Sequence, residues 1–434
     1  MVSISFLGAC REVGRSAVLI ESKNGTKCML DYGIRFRGDE RLPMVTNIEN
    51  LKAIALTHSH IDHSGGLPFL YKTHKVPFIT NSISLALADI LIKDMIRISS
   101  YPFPFGYREL DLLKQNSFFL TNGIRHKIDD DFFITFIDAG HIPGSVSILL
   151  EVDNKTILYS GDINTQITNL IHSANYSDIP EIDTLIIEST YALRNHPPRE
   201  QLEREFIEKI TNITENGGTV LIPAFGVARS QEALLILEKY QYNGKIFIDG
   251  LARKISMLCL DYPGFIKNIK LFKSALKKAQ FVSRPKTRAK VKDTSGVIIS
   301  PSGMLKGGAA IDYIQSILKD PLSAIYLVGY QVEGTPGRSL LDNGIFEFKE
   351  SRKNKPNFTL RIEAQCDYHY FDFSSHSDNN HIHNYIENLK FKKDSHSDIF
   401  CVHGDNKSTT SLASELVTKN YNSVAPETGE IYQI

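Results

Sequence analysis

The sequence predicts an α/β protein in which a zone of alternating strands and helices is inserted into a zone built on a mixed sheet. Residues 2 to about 190 contain short β-rich runs separated by loops. Residues 195 to about 360 change to strand-like runs that alternate with amphipathic helices, which is typical of a doubly wound parallel sheet. After about 360 the strand-like runs return around one helical stretch, so we expect the middle zone to interrupt the first.

The individual elements follow from hydrophobic spacing and from stop signals. In the first zone the strand-like runs are SAVLIES, KCMLDYG, KAIALTH, DFFITFIDA, VSILLEV and KTILYSGD. The stretch SISLALADILIKDMIRI predicts a helix beside that sheet. In the middle zone REQLEREFIEKITNITENGG reads as an amphipathic helix with a Gly-Gly stop, and TVLIPAF reads as a buried strand.

Composition limits the possible classes of protein. The chain has 434 residues, 42% of them hydrophobic, so it can bury a large core and form two or three domains. Its 49 basic and 49 acidic residues give no net charge, so an anionic partner must meet a local basic patch. Five scattered cysteines without CxxC spacing argue against a disulfide framework and a thiolate zinc site. With neither a signal-peptide pattern nor a run of about 18 apolar residues, we expect a cytoplasmic protein and no membrane partner.

A dense group of potential metal ligands follows one predicted strand, in LTHSHIDHSGG at residues 56–66. His58 and His60 face the same side of an extended segment, while Asp62 and His63 lie where the chain turns. Nitrogen and oxygen donors without thiolates suit zinc or manganese, and this cluster has room for two ions about 3.5 to 4 Å apart. The alternative is a polar loop with solvated histidines, but the pattern arises by chance in only about one such chain in a thousand.

This motif, with the residues that follow it, resembles the metallo-β-lactamase superfamily. The remaining ligands of that family match His141 in DAGHIPGS and Asp162 in LYSGDI, each in a loop after a strand-like run. Asp31 in MLDYG is similar to the aspartate that holds a ligand histidine in one tautomer. Alone, each of these residues would be interpreted as an ordinary turn residue, and it is their order along the chain that carries the resemblance.

The inserted zone narrows the resemblance to the β-CASP nucleases. LIIEST resembles their motif A with Glu188, FDFSSHSD resembles motif B with His376, and FCVHGD resembles motif C with His403. FLGACREVGRS, PAFGVARSQE and GYQVEGTPGR are especially similar to the nuclease subunit of the cleavage and polyadenylation specificity factor and to its archaeal relatives. The KH domains of the larger archaeal members do not precede this catalytic zone, which leaves target selection open.

The resemblance implies a metallo-β-lactamase αββα sandwich with an inserted doubly wound parallel-sheet β-CASP domain. We expect residues 1–190 to form the first part of the metallo-β-lactamase domain, residues 191–360 the β-CASP domain and residues 361–434 the return segment. The same resemblance suggests a homodimer that acts on single-stranded RNA.

For the chemistry, the resemblance implies two zinc ions, with manganese possible, and a two-metal-activated hydroxide as nucleophile. The implied ligands are His58, His60 and His141 for one ion, Asp62, His63 and His403 for the other, and Asp162 as the bridge. His376 would protonate the departing 3′ oxygen of RNA while Glu188 fixes its orientation, and Asp62 and Asp162 would share in catalysis. The expected ribonuclease, a 5′→3′ exonuclease, an endonuclease or both, would leave 3′-hydroxyl and 5′-phosphate ends.

Three other functions stay open at this point. A DNA-processing β-CASP nuclease is disfavoured by His403, since that branch typically lacks a histidine at motif C. A small-molecule metallohydrolase is disfavoured by the inserted basic zone. A catalytically inactive scaffold subunit of an RNA-processing complex is disfavoured by the complete ligand set, for which a scaffold has no use.

Candidate RNA-binding residues lie in the middle zone. Residues 267–292 contain ten lysines or arginines and no acidic residue, so this stretch could follow a phosphate backbone. The residues predicted to bind RNA there are Lys277, Lys278, Arg284, Lys286 and Arg288. In SPSGMLKGG, the backbone around Ser302 and Gly303 could cradle a phosphate, and Arg229 is a candidate phosphate clamp. The alternatives are a solvated basic face and a simple helix-entry turn.

Overall fold

The computed structural model describes residues 1–35, 38–350, 358–392 and 398–434. It divides into two compact units. The first unit comprises Met1–Ile167, Ser173–Asn195 and Ser375–Ile434, and the second unit comprises Thr168–His172 and His196–Ser374. All five cysteines are buried and free of disulfides. Within the described ranges, no helix has the length and apolar character needed to cross a membrane.

The strands are β1 (Ser3–Gly8), β2 (Ala17–Glu21), β3 (Lys27–Leu30), β4 (Leu51–Ala55), β5 (Phe78–Thr80), β6 (Ser117–Phe119), β7 (His126–Asp129), β8 (Phe132–Asp138), β9 (Val146–Val152), β10 (Lys155–Tyr159), β11 (Thr184–Glu188), β12 (Thr219–Pro223), β13 (Ile246–Asp249), β14 (Ala279–Val282), β15 (Gly296–Ser300), β16 (Ala324–Leu327), β17 (Ile345–Glu350), β18 (Phe358–Glu363), β19 (Asp367–Tyr370), β20 (Asp398–Val402), β21 (Asn422–Val424) and β22 (Ile431–Gln433). The helices are α1 (Ile61–Ser64), α2 (Leu67–Leu70), α3 (Ser82–Ile98), α4 (Tyr107–Gln115), α5 (Arg199–Glu215), α6 (Arg229–Lys239), α7 (Gly250–Asp261), α8 (Ile269–Lys278), α9 (Pro285–Lys292), α10 (Ile311–Leu318), α11 (Pro336–Asn343), α12 (Asn379–Asn388) and α13 (Asn406–Thr418), and a 3-10 helix spans Pro263–Phe265.

The first unit is built on two seven-stranded sheets, in the orders β22-β1-β2-β3-β4-β5-β6 and β21-β20-β11-β10-β9-β8-β7. Alternate residues of their strands face a shared core, in which Ile4 and Phe6 of β1 pack with Ile134 and Phe136 of β8. Helices cover the opposite faces, with α3 and α4 on the first sheet and α12 and α13 on the second. Because both faces of each sheet are covered, β1 is buried along its whole length. The arrangement confirms the predicted αββα sandwich.

The second unit contains a six-stranded sheet in the order β14-β13-β15-β12-β16-β19. Every neighbouring pair in it is parallel. Ile325 and Leu327 of β16 face the cluster that holds Tyr313 of α10, whereas Tyr326 turns to the other face and meets Phe206 of α5. Helices on both faces of a parallel sheet confirm the predicted doubly wound arrangement.

The residues at which the chain enters and leaves the second unit cannot be located from hydrophobic periodicity in the sequence. β19 pairs with β16 and extends this unit to Ser374, whereas the sequence predicts a return to the first unit at residue 361. The stretch Thr168–His172 also belongs to the second unit, because the amides of Asn169 and Leu170 donate to the Glu232 carboxylate. Both segments have the strand or loop character of the flanking zone, so only their tertiary partners reveal where they belong.

Candidate metal centre

Strand ends bring the predicted ligands together in the first unit. β8, β10 and β20 run in the same direction in one sheet, and His141, Asp162 and His403 follow their carboxyl ends. In the other sheet β4 leads into residues 58–63, which end in the short helix α1. Residues from four separate parts of the chain therefore share one site.

The first ligand group consists of His58, His60, His141 and Asp162, whose ligand atoms all lie within 4.8 Å of one another. Nδ1 of His60 is 3.1 Å from Nε2 of both His58 and His141. His141 donates its Nδ1–H to the carbonyl of Ser375 over 2.7 Å, so its Nε2 carries a lone pair that faces this group.

Burial determines the protonation state of the three histidines in this group. It lowers the pKa of His58 and His141 well below the usual range, and it lowers the pKa of His60 to about 4. The three imidazoles are therefore neutral near pH 7, which is the state that a metal ligand requires.

The second ligand group consists of Asp62, His63 and His403. Nε2 of His63 is 3.3 Å from Nε2 of His403, and the latter is 3.5 Å from Oδ2 of Asp62. Burial opposes ionisation of Asp62, but a hydrogen bond from His403 and the charges of His63 and His403 lower the pKa of its carboxyl to about 2. Asp62 therefore supplies a negative charge to this group.

Asp31 lies behind the second ligand group and accepts hydrogen bonds from three side chains. Its Oδ2 is 2.7 Å from Nδ1 of His63, 2.8 Å from Oγ1 of Thr57 and 3.0 Å from the hydroxyl of Tyr159. Burial alone would lower the pKa of His63, but the carboxylates of Asp162 and Asp31 raise it well above its usual range. This environment stabilises positive charge, which a divalent cation would also supply.

Asp162 lies between the two ligand groups and provides the test of whether they fit metal ions. Its Oδ2 is 3.5 Å from Nε2 of His58, and its Oδ1 is 3.2 Å from Nε2 of His63 and 3.3 Å from Nδ1 of His403. In the described part of the chain, Oδ1 is buried and accepts no hydrogen bond. A buried carboxylate oxygen without a hydrogen bond and surrounded by imidazoles fits a cation between them, so the residues present suit two divalent ions.

His376 and Glu188 form a pair beside the ligand groups. Nδ1 of His376 is 2.9 Å and 3.1 Å from the two carboxylate oxygens of Glu188, which is fully buried at the end of β11. The amide of Ile163 also donates to Glu188, which fixes the carboxylate. Nδ1 of His376 is 4.0 Å from Oδ2 of Asp162, and its side chain keeps 16% of its surface exposed. The imidazole is thus oriented by Glu188 and accessible at the edge of the ligand groups.

The basic stretch of the second unit is not uniformly available to a ligand. Arg288 makes two hydrogen bonds to buried Asp249, at 2.6 and 3.0 Å, and a third to Asp312 at 2.9 Å. Lys278 forms an ion pair with Glu238 at 2.7 Å. Both cations are neutralised by acidic residues from other elements, which the count of charges along residues 267–292 does not reveal.

Three other predicted RNA-binding cations have a different environment. Lys277 lies in the last turn of α8, Arg284 precedes α9, and Lys286 lies in the first turn of α9. All three are exposed, and within the described ranges they form no ion pair. Among the five predicted cations of this stretch, they are the ones that no acidic residue of the described ranges neutralises.

Arg229, Ser302 and Gly303 lie in the second unit after neighbouring parallel strands. Arg229 begins α6, which follows β12, and the Ser302–Gly303 turn follows β15. The Ser302 amide donates to Gly307 and the Gly303 carbonyl accepts from Gln331, so the turn is partly closed on itself. The structure places the two candidates at the same edge of the sheet, and their contact with a phosphate stays a prediction.

Sequence reasoning missed two side chains that complete the surroundings of the ligands. Thr57 donates both its amide and its hydroxyl to Asp31, and Thr190 places its hydroxyl 3.1 Å from Nδ1 of His403. Each directly follows or precedes a motif, as in LTHSH and IEST, and that adjacency is the signal that could have found them.

Comparison with known proteins agrees with this geometry. Family models match for the Metallo-beta-lactamase superfamily at residues 10–195, the Beta-Casp domain at residues 230–340 and the Zn-dependent metallo-hydrolase RNA specificity domain at residues 361–426. The probable RNase MJ4 of Methanocaldococcus jannaschii is 34% identical over 100% of both chains. RNase aCSPSF2 of Saccharolobus solfataricus is 31% identical over 98% of this chain and 84% of its own.

A solved structure supports the fold. The crystal structure of a protein of unknown function from Enterococcus faecalis V583 superposes with a TM-score of 0.64, at 13% identity, over 99% of both chains. The family models and the two relatives, which are matched over most of their length, identify the family. The chain belongs to the metallo-β-lactamase superfamily and, within it, to the β-CASP family of metallo-hydrolases.

Proposed function

We propose that this protein is a metal-dependent ribonuclease that hydrolyses RNA phosphodiester bonds and leaves 3′-hydroxyl and 5′-phosphate ends. One observation carries the proposal: Asp162 of the first ligand group also lies against the imidazoles of the second, and the pair of His376 and Glu188 lies beside both groups. The names of the two archaeal relatives and the matched RNA specificity domain support RNA as the substrate.

Two sets of side chains in the candidate metal centre would each hold one ion. His58, His60 and His141 would hold one ion, Asp62, His63 and His403 the other, and Asp162 would lie between them. Two zinc ions, with manganese as the alternative, would lower the pKa of a water to roughly 7 and neutralise charge on the phosphate. The carboxylates of Asp62 and Asp162 contribute negative charge to a site whose other predicted ligands are imidazoles.

His376 is the residue suited to the leaving group. Since Glu188 holds the Nδ1 edge of its ring, Nε2 is the atom that can exchange a proton with RNA. A proton delivered from Nε2 to the departing 3′ oxygen would avoid the release of an unstable alkoxide, which is the usual role of a general acid. Glu188 acts through His376 and is a positioning residue for this step.

We propose that the substrate is single-stranded RNA and that Lys277, Arg284 and Lys286 contact its phosphates. These side chains are exposed and carry positive charge, which the phosphate backbone of RNA attracts. Arg229 and the turn at residues 302–303 are further candidates for phosphate contact. We also propose a homodimer and either 5′→3′ exonuclease or endonuclease action, or both.

The test is cleavage of four substrates by the zinc-loaded protein: 5′-monophosphorylated, 5′-triphosphorylated and circular RNA, and single-stranded DNA of the same sequence. We expect cleavage of RNA with 5′-phosphate products. Only an endonuclease cuts the circle, and a preference for the monophosphate indicates 5′→3′ exonuclease action. The variant Asp162→Asn, purified identically, reveals contaminating nuclease. Absence of RNA cleavage, or equal cleavage of DNA, contradicts the proposal.

A further inference from the structure

The backbone around His376 is held firmly, so the orientation of its ring decides where Nε2 points. The next residue, Ser377, donates its amide to the carbonyl of Ile163 over 2.8 Å, and its hydroxyl accepts from the amide of Thr165 over 3.2 Å. Glu188 then holds the Nδ1 edge of the ring. A hydrogen bond to one edge still allows the ring plane to rotate about the N–H···O direction, so a second contact must define that plane.

Aromatic contacts on the faces of the ring supply this second constraint. Tyr191 stacks on His376 with a centroid separation of 5.7 Å and an interplanar angle of 29°. His141 lies closer, at 4.4 Å, but its ring is tilted by 51°. The guanidinium of Arg194 lies over the Tyr191 ring, with Cζ 4.3 Å from the centroid. Tyr191 thus contacts both the exposed Arg194 and the imidazole at the candidate site.

The backbone around Tyr191 is tied to the segment that follows His376. Tyr191 forms a parallel β-bridge with Asp378, and the carbonyl of Arg194 accepts from the amide of Asn379 over 3.0 Å. Tyr191 itself is only 3% exposed. The backbone contacts fix the Cα of Tyr191 and burial restricts its ring, so the ring is a well-defined surface for contact with the imidazole.

We propose that Tyr191 is a positioning residue that fixes the ring plane of His376, with the Arg194 guanidinium packed on the tyrosine ring. This inference rests on the proposed ribonuclease function, because it assigns Tyr191 to the residue that serves the leaving group. Glu188 fixes the position of Nδ1 through a hydrogen bond, and Tyr191 fixes the plane of the imidazole ring. Together these two contacts determine the direction in which Nε2 points. A misaligned donor slows proton transfer while substrate and metal binding stay intact.

The first test compares Tyr191→Leu with Tyr191→Phe in RNA cleavage. Leucine keeps an apolar side chain but removes the aromatic face, so we expect kcat to fall about hundredfold, since a displacement of about 1 Å can cost that much. KM and metal content should stay unchanged. Tyr191→Phe keeps the face and should retain most of the wild-type kcat. Arg194→Ala should lower kcat about two- to fivefold, because it removes the exposed cation–π interaction with Tyr191.

The control is Tyr385→Leu, which truncates another tyrosine that is buried in the first unit, at 1% exposure, on the apolar face of α12. Both leucine variants should lose thermal stability, but only Tyr191→Leu should show a lower kcat. An equal fall of kcat in both variants, loss of metal in Tyr191→Leu, or a kcat in Tyr191→Phe as low as that of Tyr191→Leu overturns the proposal.

The second test does not depend on activity and separates this proposal from the proposed function. In histidine-labelled protein, the imidazole resonance of His376 is assigned by its absence in His376→Gln. Tyr191→Leu should shift that resonance by removing the ring current of the stacked tyrosine, and Tyr191→Phe should not. If the His376 resonance does not shift in Tyr191→Leu, the proposed stacking of Tyr191 on His376 is wrong. Absence of RNA cleavage by the wild-type protein rejects the ribonuclease, while this spectrum still shows whether Tyr191 orients the ring.

Discussion

The two regions that the sequence marks for chemistry behave in opposite ways in the fold. The predicted metal ligands are scattered from residue 58 to residue 403, yet the ligand atoms of the first group lie within 4.8 Å of one another. The basic residues all lie in one stretch, residues 267–292, yet in the fold some of them are paired with acidic residues and others are not. Arg288 turns to Asp249 and Lys278 turns to Glu238, while Lys277, Arg284 and Lys286 stay exposed.

The difference shows which kind of sequence pattern predicts the position of a site in the folded protein. Metal ligation needs several specific donors in a fixed order, and the ends of parallel strands bring such donors to one edge of a sheet. A run of like charges specifies no partner, and acidic residues from distant elements can neutralise it. Donor type and order therefore locate a site, whereas local charge indicates only where cations are abundant.

The largest expected effect comes from Asp162→Asn, which tests whether the two ligand groups form one site. The change keeps the shape of the side chain but removes the negative charge that faces both groups. We expect RNA cleavage to fall at least about 10⁴-fold, as for the loss of a central active-site residue. Elemental analysis should find two metal ions in the wild-type chain and fewer in the variant. Full occupancy in Asp162→Asn would show that the groups bind independently of this carboxylate.

The next effect separates a residue that serves the leaving group from a metal ligand. His376→Ala should lower kcat by about 10² to 10⁴, which is roughly 3 to 5.5 kcal/mol of barrier, and should keep both metal ions and RNA affinity. His403→Ala should lose activity together with occupancy of the second ligand group. RNA with a 3′-thio linkage, which needs less protonation, should recover part of the defect of His376→Ala and none of that of His403→Ala. Loss of metal from His376→Ala contradicts this division.

Much of this site could be predicted because its residues lie in short motifs with a fixed geometry. The HxHxDH stretch follows a strand, and the order of His141, Asp162 and His403 along the chain is that of the resembled family. The αββα sandwich and the doubly wound sheet follow from hydrophobic periodicity together with that resemblance.

Other features depend on tertiary contacts that no local pattern contains. β19 joins the second unit because it pairs with β16, although its sequence resembles the strands of the first unit. Tyr191 follows motif A, but its stacking on His376 depends on a backbone bridge to Asp378. The pairing of Arg288 with Asp249 requires two segments of the middle zone to meet.

A smaller effect tests the support behind the metal ligands. Asp31→Asn replaces an acceptor of hydrogen bonds from His63, Thr57 and Tyr159 with an amide that must present an N–H to one of them. Removing such a partner typically costs about 10- to 100-fold in metal affinity or activity. We expect weaker metal binding, measured by competition with a chelator, and cleavage restored by excess zinc. A variant that stays inactive when fully loaded would place Asp31 in the chemistry and not behind it.

The smallest effect addresses the basic stretch and contrasts its two kinds of cation. Replacing Lys277, Arg284 and Lys286 with glutamine should lower the slope of log affinity against log salt by about 0.7 for each phosphate that is no longer neutralised, or about 2 for all three. The control, Lys278→Gln with Arg288→Gln, removes two cations that are already paired, so the slope should not change. That control should instead lower the stability of the fold by about 1 to 3 kcal/mol, because buried Asp249 keeps its charge but loses its ion-pair partner and two of its hydrogen bonds. The salt slope is measured by RNA binding in a His376→Ala background, in which the RNA stays intact, and the stability is measured by thermal unfolding.

If the control lowers the slope as much as the triple variant, then cations that are paired within the fold still bind RNA, and the contrast between the two regions is wrong. If neither variant changes the slope, the basic stretch is a solvated face and RNA is bound elsewhere.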